Sequence, residues 1–185
     1  MLAKLFRKGT RLANVRRVTD LSPENILDDP SVHRVAAALA SFGVRGHITI
    51  LDDAAKTARQ AAAALGIEVA QIANSLVFRT LRDDTVRPLL VLASGVHRVD
   101  APRLADLLEL HEISLADPEF VSEQTGFTIG GVAPISPGHH IETVVDVSLS
   151  RYHRVWAAAG HPRTVFPTSY DELLRLTGGR PAAVA

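Results

Sequence analysis

The sequence predicts an α/β fold, a single domain with a mixed β-sheet flanked by helices. Three observations carry that reading. From Ser31 to Gly179, stretches with helical spacing alternate with short, β-prone apolar runs. The alternation lacks the regular βαβ rhythm of a doubly wound parallel sheet. The chain has 185 residues, 46% of them hydrophobic, which suffices for one core, and no repeat or linker divides it.

The elements follow in order. A basic arm comes first: Lys4, Arg7, Lys8, Arg11, Arg16 and Arg17 all precede the first acid, Asp20. Leu2, Leu5 and Phe6 are too few for a secretory apolar core. The arm fits a solvated tail and equally a segment that meets RNA phosphates. Ser22-Pro23-Glu24-Asn25 signals a short helix, and the boundary between arm (1–28) and folded domain (29–185) falls just after it. Val32, Val35, Ala36, Leu39 and Phe42 share one helical face, with Ser31 as the expected cap and Gly43 as the stop. His47 to Leu51 reads as a strand. Thr57 and Gln60 form a capping-box pattern ahead of an Ala-rich helix that ends at Gly66. Ser75 to Arg79 and Leu89 to Ala93 read as a hairpin around the polar turn Arg82-Asp83-Asp84. Asp100 caps a helix from Ala101 to Glu109, and Asp117-Pro118-Glu119 opens another that runs to about Gln124. Thr143 to Val147 and Arg154 to Ala158 are strand-like. Ser169 and Glu172 form a second capping box, opening a last helix that Gly178-Gly179 stops.

Composition narrows the function classes. Twenty basic residues balance twenty acidic ones, which argues against coating nucleic acid through bulk charge but leaves room for a small footprint on an RNA end. The chain has no Cys, so thiolate chemistry is excluded and a reducing cytoplasm is the expected compartment. No apolar run approaches a membrane span. No Gly-x-Ser-x-Gly elbow is present, against a serine nucleophile.

The segment richest in chemical information is Thr125-Gly126-Phe127-Thr128-Ile129-Gly130-Gly131-Val132-Ala133-Pro134. Two flexible glycines followed by a φ-locked proline make a loop whose ends fix its path. Its backbone N–H groups suit a carbonyl oxygen or another anionic oxygen, because no side chain blocks them. Taken alone, the segment also fits an ordinary Gly-rich turn. His97 stands in a turn with Ser94, Gly95 and Arg98, where it could face a pocket. Asp146, at a strand end, either orients a partner or caps the following turn. His97, His139 and His140 have no spacing that presets tetrahedral zinc geometry, so neither a metal nor another cofactor is expected.

Read together, these segments carry a resemblance. The Ala61-Ala62 helix, Gln71-Ile72-Ala73-Asn74-Ser75-Leu76-Val77-Phe78, Ser94-Gly95-Val96-His97-Arg98-Val99-Asp100, the Thr-Gly-Phe lead with Gly130 to Pro134, Val145-Asp146 and Ala159-Gly160 resemble the YbaK/EbsC family. These are free-standing aminoacyl-tRNA deacylases related to the editing domain of bacterial prolyl-tRNA synthetases. The likeness spans about Ser31 to Gly179. It implies a curved, mixed sheet flanked by helices and hydrolysis of the ester that joins a wrong amino acid to the tRNA 3′-end. It implies that Gly130 and Asn74 serve the reaction, and that Gly131, Pro134, Ser75, Phe127, His97 and Asp146 bind substrate. The implied partners are a mischarged tRNA and, for delivery, an aminoacyl-tRNA synthetase. One departure stands out. Many members carry a Lys where this chain has Asn74, and Lys56 is the one lysine inside the matched region. Asn donates and accepts hydrogen bonds without charge. A second implied class is therefore a non-catalytic relative that binds an aminoacyl-tRNA or a synthetase.

Overall fold

A computed structural model describes residues 26–44, 46–138 and 140–185. Residues 1–25, which hold all six cations of the arm and the Ser22 to Asn25 helix signal, and His139 lie outside the described residues; Ile26, the third residue from the end of the expected arm, is buried in the core. Among the described residues, five α-helices flank one mixed sheet of eight strands.

Helix α1 spans Pro30–Ser41 and buries Val32, Val35 and Leu39. Its cap is Asp29 rather than Ser31: Pro30 takes the first helical position, so the capping carboxylate sits one residue earlier and accepts the Ser31 N–H at 2.7 Å. Strand β1 is short, Thr49–Ile50. Helix α2, Ala58–Leu65, carries the complete Thr57/Gln60 capping box and ends on left-handed Gly66. A 3₁₀ turn, Val69–Gln71, leads into the central hairpin of β2 (Ile72–Arg82) and β3 (Thr85–Ser94). Asp83 and Asp84 both have positive φ, 49° and 57°, the two-residue turn that matches strand twist. Helix α3 (Ala101–Leu108), β4 (Glu112–Leu115) and α4 (Pro118–Thr125) follow. The Gly-rich loop leads to β5, Glu142–Asp146, and a 3₁₀ segment, Val147–Arg151. Strands β6 (Val155–Ala158) and β7 (Thr164–Thr168), helix α5 (Tyr170–Thr177) and β8 (Arg180–Ala182) complete the chain.

The sheet order is β1-β7-β6-β2-β3-β5-β8, with β4 also paired to β2. Strand alternation sends Val77, Leu90 and Leu92 to one face, where α1, α4 and α5 cover them with Val35, Phe120 and Leu173. Phe78, Leu89 and Val91 point to the other face, under Leu104 and Leu108 of α3. Ala61 and Ala62 of α2 pack on Ile72. Burying a side chain such as Leu92 or Phe166 stabilises the fold by roughly 1.5–3 kcal/mol each.

One detail of β2 prepares the site. Its edge opposite β3 has two partners, neither of which runs the whole length. Parallel β6 pairs only with Ile72 and Ala73, and antiparallel β4 pairs only from Phe78 to Leu81. Between them, no strand of the described residues lies opposite Asn74, Ser75 and Leu76.

Candidate functional site

The interrupted edge becomes the wall of a cleft. The Gly95 N–H bonds the Ile72 carbonyl, which makes Ile72 and Asn74 the residues whose peptide groups face β3. Ala73, Ser75 and Val77 therefore face outward. Val77 gives its carbonyl to the Ala116 N–H at 3.0 Å, and Ala73 lies against β6. Ser75 falls in the gap. Its hydroxyl oxygen is buried and has no hydrogen-bond partner among the described residues. The hydroxyl is thus left with both its donor and its acceptor uncommitted beside the cleft. Asn74 points to the opposite face of β2, half-buried, and its amide likewise has no protein partner among the described residues.

The Gly-rich loop closes the cleft from one side. The Gly131 N–H bonds the Thr128 carbonyl at 2.9 Å, and Gly130 has φ +88°, the left-handed conformation of the third residue in a tight turn. Gly131 has no room for a side chain: a Cβ there would meet the Gly160 carbonyl oxygen at 2.8 Å. Gly160 in turn packs on the Ser31 backbone at the start of α1, and its N–H bonds the Gly131 carbonyl at 3.0 Å. The loop is thus held by backbone-to-backbone contact. From the other side come Lys56 and Thr57, at the N-terminal end of α2. Gly95 forms the back wall, so close to Val69 and Ala58 that a Cβ would come within 2.4 Å of the Val69 carbonyl oxygen.

Two connected spaces result, sharing Lys56, Thr57, Ala58, Asn74, Ser75 and Gly130. The outer cleft, about 390 Å³, adds Arg59, Leu76 and Ile129. The inner recess, about 50 Å³, is walled by Ala55, Ala73, Trp156, Ala158 and Pro162. Among the described residues, no Asp, Glu or His lines either space.

Of the eight residues expected at the site, the fold brings Asn74, Ser75 and Gly130 together around this cleft. Gly131 stands one residue behind it, as the contact that seats the loop. The other four lie elsewhere. Pro134 lines a separate cleft of about 490 Å³ with Arg34, Phe42, His140 and Leu176. Phe127 is buried in the core, with the Arg34 guanidinium 5.6 Å over its ring. His97 and Asp146 pair with each other at 2.6 Å. Asp146 is fully buried and also accepts the N–H groups of Ser94 and Ser148, both at 2.9 Å. It thus orients His97 and caps the following turn at once. Together they anchor the Ser94-Gly95 turn that forms the back wall.

Lys56, Arg59 and Pro162 join the cleft without a motif to mark them, and Gly95 joins it from the turn noted for His97. Lys56 is visible in the sequence only as the sole lysine of the folded region. His161 sits beside the loop in the β6–β7 turn. Burial pushes its imidazole below the usual range, with Arg163 adding to the effect and Asp29 opposing it. Its Nδ1 accepts the Arg163 N–H at 3.1 Å, which fits the neutral ring. Among the described residues no cluster of three or more His, Asp or Glu could hold a metal. No helix among them is long and apolar enough to cross a membrane.

Comparison with known proteins matches these features to relatives. The family model for the aminoacyl-tRNA editing domain matches residues 52–176, a span that contains the interrupted strand, the α2 N-terminus and the Gly-rich loop. The uncharacterized protein YwhH of Bacillus subtilis is 29% identical over 143 residues, covering 77% of this chain and 88% of that protein. The proline–tRNA ligase of Bacillus licheniformis is 32% identical over 109 residues, 59% of this chain but only 18% of the ligase. A solved structure provisionally named a trans-editing enzyme for prolyl tRNA synthetase superposes with a TM-score of 0.74 at 38% identity, covering 84% of this chain and 96% of that one. The match takes in the whole site and most of the sheet, in keeping with the YbaK/EbsC resemblance, and the chain belongs to the aminoacyl-tRNA editing domain family.

Proposed function

We propose that this protein is a trans-editing deacylase that hydrolyses the ester between a mischarged amino acid and the 3′-end of its tRNA. The observation that carries the reading is the convergence of Asn74, the partnerless Ser75 hydroxyl and the Gly130 loop on one cleft at the interrupted edge of β2. All are hydrogen-bonding groups held by rigid neighbours, the arrangement that positions an ester and meets charge as it develops on the carbonyl oxygen.

In the proposed reaction a water oxygen attacks the ester carbonyl carbon. Negative charge collects on the carbonyl oxygen, toward the Gly130 N–H and the Asn74 amide. The bond to the ribose oxygen then breaks, and that oxygen takes up the proton the water loses, relayed by the vicinal ribose hydroxyl. The products are the free amino acid and a tRNA with an intact 3′-terminus. The substrate's own hydroxyl fits a cleft that no carboxylate or imidazole of the described residues lines. The inner recess has room for a small apolar side chain next to the ester. The basic arm would add phosphate contacts along the acceptor stem.

The same lack of a lining base supports a second reading, a module that binds aminoacyl-tRNA, or a synthetase partner, without turnover. A deacylation screen against a panel of mischarged tRNAs separates the two. Hydrolysis of at least one, fastest for a small amino acid, is expected. Tight binding of the panel with no release of amino acid would sink the deacylase and leave the binding module.

A further inference from the structure

The outer cleft has an unbalanced charge. Lys56 and Arg59 line it, both exposed, and no acidic side chain among the described residues does. Neither cation has an ion-pair partner among the described residues. Their position is also unfavourable locally. Lys56 precedes the Thr57 cap, Arg59 lies in the first turn of α2, and that turn holds no acid. The N-terminal end of a helix repels cations, so both residues sit where the helix itself would select Asp or Glu. A local rule broken without compensation inside the fold marks a functional demand. The segment is held firmly despite this: Gln60 Oε1 accepts the N–H groups of both Lys56 and Thr57, at 3.0 and 3.1 Å. The cations therefore stand at a fixed point of the rim, within one cleft of Asn74 and Ser75.

Given the proposed reading of this cleft as the seat of an aminoacyl ester, we infer that Lys56 and Arg59 form a phosphate subsite for the link between the last two nucleotides of the tRNA. The ester and terminal ribose would occupy the cleft at Asn74 and Gly130, and the preceding phosphate would cross the rim at α2. The subsite restores to the site the positive charge that Asn74 lacks, but directs it to the nucleic acid and not to the reacting carbonyl. It would let the protein favour an amino acid carried on tRNA over the same amino acid on a free nucleoside.

The test compares Lys56→Gln and Arg59→Gln with Arg87→Gln, an exposed cation at the far end of the hairpin. Binding of uncharged tRNA is followed against salt, and hydrolysis is measured on mischarged tRNA and on aminoacyl-adenosine, which has the ester but no phosphate. Lys56→Gln and Arg59→Gln should each lower the log–log salt slope by about 0.7, the value for one single-strand phosphate contact. Each should raise KM on tRNA by up to about fivefold with kcat unchanged, the ceiling for an exposed charge pair. Kinetics on aminoacyl-adenosine, and all values for Arg87→Gln, should match the parent. An unchanged slope in both cleft variants overturns the inference, as does an equal loss on aminoacyl-adenosine or an equal slope change in Arg87→Gln. The binding slope reads the cations even if the parent hydrolyses nothing, so failure of the deacylase reading is seen separately.

Discussion

Gly130→Ala tests the site through a single methyl group. Gly130 has φ +88°, so an L side chain there is strained, at about 1–2 kcal/mol. The new Cβ would sit 3.5 Å from Pro162 and 3.6 Å from the Ala55 carbonyl oxygen, ordinary contact with no steric penalty to add. At roughly 2–4 °C per kcal/mol for a chain of this size, the thermal midpoint should fall by about 2–8 °C. Pro162 and Ala55 are walls of the inner recess, so the methyl takes up part of a space of only about 50 Å³. At a temperature where the variant is fully folded, kcat/KM on a mischarged tRNA should drop by more than about tenfold, beyond 1.4 kcal/mol of lost transition-state binding. Gly131→Ala supplies the contrast. Its Cβ meets backbone at 2.8 and 3.0 Å, so the overpacking cost of about 1–3 kcal/mol or more appears mainly in stability. Calorimetry and single-turnover deacylation measure both variants. Parental activity in Gly130→Ala alongside the expected loss of stability would remove the loop from the reacting centre.

Further outcomes follow from neighbouring groups. Asn74→Ala should cost about tenfold in kcat/KM with little change in thermal midpoint, since the amide has no protein partner among the described residues; a silent substitution would make Asn74 a bystander. Dialysis against a strong chelator should leave hydrolysis intact, and loss with recovery on adding zinc would refute a metal-free reaction. His161 predicts a pH effect. Its folded-state pKa lies below the unfolded value of about 6.5, so the unfolded chain binds the proton more readily. The neutral ring's contribution is complete above about pH 6.5 and declines as pH falls through that value toward the folded pKa. His161→Gln should flatten this part of the stability profile relative to the parent, and identical profiles would exclude His161 as its source.

Much of the fold is legible in the sequence because the helices announce their ends. Thr57, Asp100, Asp117 and Ser169 each accept a backbone N–H of the first turn, where the cap patterns place them. The strands that escape the pattern lack its physical basis. Strand β4 is mostly exposed and has no buried alternation. Strands β7 and β8 contain Pro167 and Pro181, which ordinarily demote a strand. Pro167 is tolerated because β1 pairs only with Thr164 and Val165, so at Pro167 no ladder bond is asked of that side of β7, where the Gly46 backbone packs instead. The site is legible in part for a similar reason. Gly130, Asn74 and Ser75 stand in recognisable segments. Phe127 and Pro134 stand in equally recognisable ones, yet direction along a loop decides whether a residue faces this cleft, the core or another cleft, and spacing does not encode direction. Lys56 and Arg59 reach the cleft only because α2 packs on Ile72, a contact across the chain that no local pattern carries.

The stack of Gly131 on Gly160 on the Ser31 backbone bears on how substrate gets in and out. A loop seated on the first turn of α1 cannot swing as a lid without carrying that helix and the core contacts of Val32, Val35 and Leu39 along. The Gly-rich segment therefore behaves as a fixed jaw. Entry and release should be set by the open rim at α2 and by diffusion of the RNA end, with no closing step in the cycle. On the proposed reading, its donors would stand aligned before an ester arrives, so that little of the barrier would go into arranging them.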